Sequence, residues 1–215
     1  MVILWVTLAF QINSWNENRK DRIAEQHILN GLYHEFLAAE KEITADMKSR
    51  NHYIRTQRVI EQIRLNHSQV PLDSVRQIVE NLASYRYYTP THPILQDLQT
   101  SGRFDLIESA EVRDQLSSYL QEKDRLAVIE ERERSFVANY IEPYLTKHLD
   151  LLQLNSDDLK AESDQYRIFI EMTYGQEFGS LLFYKTKRTS SALSYSQRVL
   201  DLIKSLQVLL NEAKN

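Results

Sequence analysis

The apolar residues of this chain recur at helical spacing over long distances, and little interrupts them. Leu29, Phe36 and Ile43 fall seven apart, Leu32 and Tyr33 fill the same stripe, and Met47 and Ile54 continue it. No strong stop occurs between about Ser14 and Asn66, with Gly31 the one weak point, so the spacing predicts a single long helix. Four Gly and four Pro among 215 residues, against many Leu, Glu, Gln, Arg and Ala, are a helix-forming composition. No turn-flanked runs of alternating apolar residues compete. The expected fold class is all-α. The stripes are wide enough to face several neighbours, which favours an antiparallel bundle over a two-stranded coil. Neither an internal repeat nor a low-complexity tract is present.

Turn chemistry divides the rest. Pro71 suits the first turn of a second helix, from about Leu72 to Tyr85. Pro90 and Pro93 make residues 85–93 the clearest loop, because each removes a backbone donor and pushes its predecessor toward extended conformations. A short helix is expected from Pro93 to Thr100, ended by Ser101 and Gly102. Ser109 and Glu111 then start a helix to about Leu154, with an inward stripe of Val112, Leu116, Tyr119, Leu126, Ile129, Phe136 and Tyr140. Pro143 should kink it near Tyr140. Two last helices are expected, one capped by Ser156 and running to Tyr174, the other from Phe178 to Ala213.

The N-terminus adds a sharp edge. The first sixteen residues carry no charge, and ENRKDR follows at once. Trp15 stands where interfacial aromatics sit, as at the end of a membrane-spanning helix. Sixteen residues reach only ~24 Å, short of roughly 30 Å of hydrocarbon, and Thr7, Gln11, Asn13 and Ser14 dilute them. The stretch lacks the basic leader and small-residue cleavage site of a signal peptide. Residues 1–16 are therefore read as the C-terminal half of a transmembrane helix, and residues 17–215 as one helical bundle domain.

The run Ile12, Asn13, Trp15, Asn16, Glu17, Asn18, Arg19, Lys20 resembles the membrane-exit signature of a family of uncharacterised small bacterial membrane proteins. A second stretch is also similar, with Leu98, Ser101, Gly102, Leu106, Ile107, Val112, Arg113, Leu116 and Tyr119 at the family's spacing. The resemblance implies a single-span anchor in the bacterial inner membrane and a helical domain, and it supplies no activity. The chain departs from the family by lacking the upstream half of the span and its basic leader.

Catalytic signatures are missing. A di-iron bundle needs Glu-x-x-His pairs, yet the residues three before the six histidines are Ala24, Gly31, Ser49, Arg64, Thr89 and Leu145. His34-Glu35 is followed by Ala38 where a zinc protease would place its second His. His27 and His34 lie about 10 Å apart along a helix, too far to share an ion. Zero Cys removes thiolate ligands and nucleophiles. Gly175 and Gly179 precede no Gly-Lys-Ser/Thr, so they read as a helix–helix junction. Glu130, Glu131 and Glu133 alternate with Arg132 and Arg134 like an exposed, salt-bridged face. Lys185, Lys187 and Arg188 form the best basic cluster, of a kind that meets phosphates or lipid headgroups, but three charges between two helical stretches read as a solvated turn. A formal net charge of −4 gives no basic excess for nucleic acid.

Two surfaces stand out for interaction. Tyr85, Arg86, Tyr87, Tyr88 and His92 combine large contact area with polar tips, as interfaces do, and Arg103 and Arg113 flank the second family-like stretch. The expected protein is a non-enzymatic, membrane-anchored interaction or scaffold protein without cofactor or metal. Its expected partners are the bilayer and another protein or a second copy, with a small-molecule ligand left open. The alternative is an extracytoplasmic ligand-sensing domain that relays through a partner. Arg19, Lys20 and Arg22 after the span favour a cytoplasmic domain; the missing basic leader tips the reading to the outside.

Overall fold

The computed structural model describes residues 2–66, 71–156 and 164–214, and all regular structure among them is helical. Helix α1 (Val2–Asn66) runs through the uncharged start of the chain and its charged edge without a break. No helix among the described residues is long and apolar enough to cross a membrane. The physical reason is the one the length implies, since charge begins at Glu17, after ~24 Å of helix.

Helix α2 (Leu72–Ala83) starts behind Pro71. Helix α3 (Pro93–Ser101) has proline in its first turn and ends at Gly102, whose φ of 68° lets its N–H return to the Leu98 carbonyl. An unanticipated 3₁₀ turn, Arg103–Leu106, follows. Helix α4 (Ala110–Phe136) opens with Ser109 Oγ accepting the Val112 N–H at 3.3 Å. It passes through a π-helical turn, Val137–Ile141, into α5 (Glu142–His148). The chain leaves the helix there rather than near Leu154 and forms the short α6 (Leu151–Leu154), capped by Asp150. The start expected at Ser156 leads into residues 157–163, outside the described residues; α7 is described from Asp164 to Tyr174. Gly175 separates α7 from α8 (Gln176–Ala213).

The chain divides into two compact units interleaved in sequence. Unit 1 comprises Met1–Glu42, Thr89–Gln121 and Val199–Asn215; unit 2 comprises Ile43–Tyr88 and Glu122–Arg198. In unit 1 the segment from α3 onward runs back along α1. Glu35 accepts the Ile94 N–H at 2.6 Å, and further back Glu25 accepts the Glu108 N–H at 2.6 Å. Gly31 permits the approach, since a Cβ there would stand 2.0 Å from Ile94 Cδ1. Because this segment has already returned, α4 runs forward beside α1, bringing Tyr119 edge-on to Phe36 at 4.9 Å. The strictly antiparallel order is thus corrected: α4 is parallel to α1 in unit 1. Helix α8 is antiparallel there, with Gln207 donating to the Phe36 carbonyl and Lys214 over the Tyr33 ring.

Unit 2 has an apolar core of Ile60 and Ile63 from α1, Val75, Ile78 and Leu82 from α2, Val137, Ile141 and Leu145 around the π turn, Phe169 and Met172 from α7, and Phe178 and Leu182 from α8. The π turn corrects the stripe expected on α4. A fifth residue in the turn shifts the phase beyond Val137, so Ile141 points inward while Tyr140 is 58% exposed.

Candidate functional site

The phase of three helices in unit 2 carries polar residues into the interior. On α1, Phe36, Ile43, Arg50 and Gln57 continue one another at seven-residue steps, and all four are buried. On α4 the inward series is Leu126, Glu130, Glu133 and Val137; on α8 it is Leu182, Lys185, Thr189, Ala192, Ser196 and Val199. Burying these charges requires mutual compensation, and the side chains supply it to one another.

Arg50, 1% exposed, is the centre. Its Nε donates to Asp46 at 2.6 Å, one terminal nitrogen donates to Glu133 at 2.9 Å, and the other donates to Glu130 at 2.5 Å and to the Arg86 carbonyl at 3.0 Å. Glu133 also accepts from Lys185 Nζ at 2.8 Å and from the Thr189 hydroxyl at 2.6 Å. Lys185 closes the other side by donating to the Ser84 carbonyl at 2.6 Å, and Glu130 accepts the Tyr88 N–H. The cluster therefore ties α1, α4, α8 and the start of the 84–92 loop together.

Three carboxylates face two cations, and the imbalance appears in their titration. Burial pushes Glu130 up to about 7, against the pull of Arg50 and the Tyr88 N–H. Burial lowers Lys185, with Glu133 opposing. For Arg50 burial acts downward, but Asp46, Glu133 and Glu130 prevail and its pKa rises. The cluster can thus take up one proton near neutrality, at Glu130, and so match its charges. Asp46 Oδ1 and the Gln57 amide find no partner among the described residues.

This arrangement overturns two readings. Glu130 and Glu133 are not on an exposed face: both are 1% exposed, whereas Glu131 between them is exposed and paired with Arg134 at 2.6 Å. Lys185 is not in a solvated turn but inside α8, wholly buried. Runs of alternating sign look solvated, yet the three- and four-residue steps from Leu126 to Val137 select the two glutamates that face inward.

The candidate interaction residues separate. Tyr85 and Tyr87 remain 38% exposed in unit 2, with their rings edge-on at 5.8 Å. Tyr87 donates to Glu131 at 2.5 Å; burial and that carboxylate push it up to about 12, and the Arg134 and Tyr87 hydrogen bonds hold Glu131 down at about 2. Arg86 is exposed, with its carbonyl on Arg50 and its guanidinium on the Ser49 hydroxyl. Tyr88 is buried, so it leaves the expected surface. In unit 1, His92 is buried too, its Nε2 2.6 Å from the Tyr119 hydroxyl. Arg103 pairs with Asp97 on the surface, and Arg113 donates to the Ile107 and Glu108 carbonyls. Both arginines are accounted for by neighbours within a few residues.

At the N-terminal edge, Trp15 is 66% exposed, and Asn16, Glu17, Arg19 and Lys20 are exposed with it. Asn13 donates to Glu17 at 3.4 Å. The Asn18 side chain lies outside the described ones. Trp15, Arg19, Arg22, Ile23 and Gln26 line a surface hollow of about 340 Å³.

No protein-family model, curated protein or solved structure matches this chain.

Proposed function

We propose that this is a non-enzymatic, membrane-anchored helical protein, an interaction or scaffold module held at the bilayer by the N-terminal end of α1. The observation that carries the reading is Trp15, largely exposed and sharing a hollow with Arg19 and Arg22 where the uncharged start of α1 gives way to charge. An aromatic ring beside cations at such an edge matches the headgroup level of a bilayer. The interior supports the scaffold over the sensor. Every nitrogen of the buried Arg50 is engaged by this chain, so the cluster serves as a lock between helices rather than a ligand cavity. The exposed Tyr85 and Tyr87 are the surface offered to a protein partner or a second copy. Inner-membrane placement, with the helical domain outside the cytoplasm, belongs to the same proposal.

The test is alkaline carbonate extraction of membranes from cells expressing the reading frame together with any in-frame codons upstream of Met1. Retention in the membrane pellet is the expected result. Quantitative release into the supernatant would overturn the anchor.

A further inference from the structure

Away from the buried cluster, the outer faces of α4 and α8 in unit 2 border an open cavity of about 260 Å³ lined by Ile129, Arg132, Tyr184, Lys187, Arg188 and Ser191. Helical spacing builds it. Tyr184, Lys187, Arg188 and Ser191 fall at i, i+3, i+4 and i+7 on α8, and Ile129 and Arg132 fall at i and i+3 on α4. Three cations thus line one small space, and no carboxylate among the described residues lines it.

No acid among the described residues compensates this charge. Neither Arg132 nor Lys187 makes an ion pair among the described residues, although acids outnumber bases 30 to 26 in the sequence. The nearest acid in sequence to Arg132 that faces outward, Glu131, is committed to Arg134 and Tyr87. Arg188 is held in place by the ring of Phe136, 4.2 Å from its guanidinium carbon, and by Tyr184 at 5.5 Å. One cation is therefore fixed by aromatic contacts while the other two stand exposed.

We propose that this cavity is a binding site for a phosphate-type oxyanion, with Arg132 and Lys187 as its charge-neutralising ligands and Arg188 as a pre-positioned third. Planar guanidinium groups match oxyanion geometry with paired N–H donors, and a lysine adds a compact point charge. The Tyr184 hydroxyl lines the same space and can donate to an oxygen, while the Ser191 hydroxyl donates to the Lys187 carbonyl at 2.9 Å. A cavity of about 260 Å³ has room for such an oxyanion between the three cations. The same headgroup chemistry is supplied by a phosphate ester in solution and by an anionic phospholipid. The site does not depend on the N-terminal anchor.

Calorimetric titration of the whole chain with inorganic phosphate, beside flotation with phosphatidylcholine vesicles with and without phosphatidic acid, tests the assignment. The double variant Arg132→Gln/Lys187→Gln should weaken phosphate binding roughly tenfold or more, while Arg132→Lys/Lys187→Arg retains it and the exposed Arg55→Gln leaves it unchanged. The substituted side chains are at the surface, so far-UV circular dichroism should be identical throughout. The vesicle arm reads only the difference between wild type and the double variant, since attachment through α1 is common to both. A difference that appears with phosphatidic acid identifies the lipid headgroup as the source; phosphate binding without such a difference identifies a soluble ester. Saturable phosphate binding that is absent, or that survives in Arg132→Gln/Lys187→Gln, overturns the proposal.

Discussion

Helix α1 is used in opposite ways by the two units. In unit 1 it buries Phe36, which meets Tyr119 edge-on and His92 at a ring distance of 5.2 Å. In unit 2 the same stripe buries Arg50, which meets three carboxylates. The aromatic group packs by shape and gains from each contact separately. The ionic group depends on its cations, because removing Arg50 leaves three buried carboxylates facing Lys185 alone. Uniform helical patterning therefore conceals two kinds of interior, one held by the fit of rings and one by the mutual compensation of charges.

The sharpest way to break this comparison is Arg50→Met. Leaving Asp46, Glu130 and Glu133 buried together should cost about 3–5 kcal/mol in urea denaturation. A loss no larger than that of an ordinary core hydrogen bond would show that the ionic cluster does not hold unit 2. The pH dependence is next. Glu130 titrates near 7 in the fold and near its ordinary value of 4.5 in the unfolded chain. Between those values the folded state binds more protons, so its contribution to stability is complete below pH 4.5 and is lost as pH rises through 7. Urea midpoints should therefore fall from pH 5 to pH 7 by the equivalent of about 2 kcal/mol, and Glu130→Gln should flatten that slope. A wild-type midpoint rising over the same interval would reverse the assignment. The smallest effect is expected in unit 1, where Tyr119→Phe removes only the hydroxyl at His92 and should cost about 1 kcal/mol. A larger loss would mean that unit 1 also depends on a polar network.

Much of the architecture was legible because single residues announce it. Pro71, Pro93 and Gly102 set helix ends by fixed backbone preferences, Ser109 by its hydroxyl, and Leu29, Leu32, Phe36 and Ile43 by their spacing. The ionic cluster was written at the same spacing but in residues whose type argues for solvent. Arg50 occupies the position seven after Ile43, yet only the arrival of Glu130 and Glu133 from 80 and 83 residues away makes that position habitable. Long-range compensation has no local signature. The same holds for Tyr88 and His92, which sit in a proline-bounded loop that looks exposed and are buried by what packs on it. The cation-lined cavity needed the pairing of α4 with α8, which no stripe on either helix specifies.

The π turn at Val137–Ile141 has a consequence for how this protein can vary. A helix counts its positions in steps of roughly 100°, so inserting or dropping one residue normally swings everything beyond it to a different side. Here the turn already holds one surplus residue, taken up between Glu133, which faces the ionic cluster, and Ile141, which faces the apolar core. Length changes at this point can be absorbed by converting the wide turn to a regular one or back. It works as an expansion joint, insulating the placement of Glu130 and Glu133 from changes in chain length downstream of it.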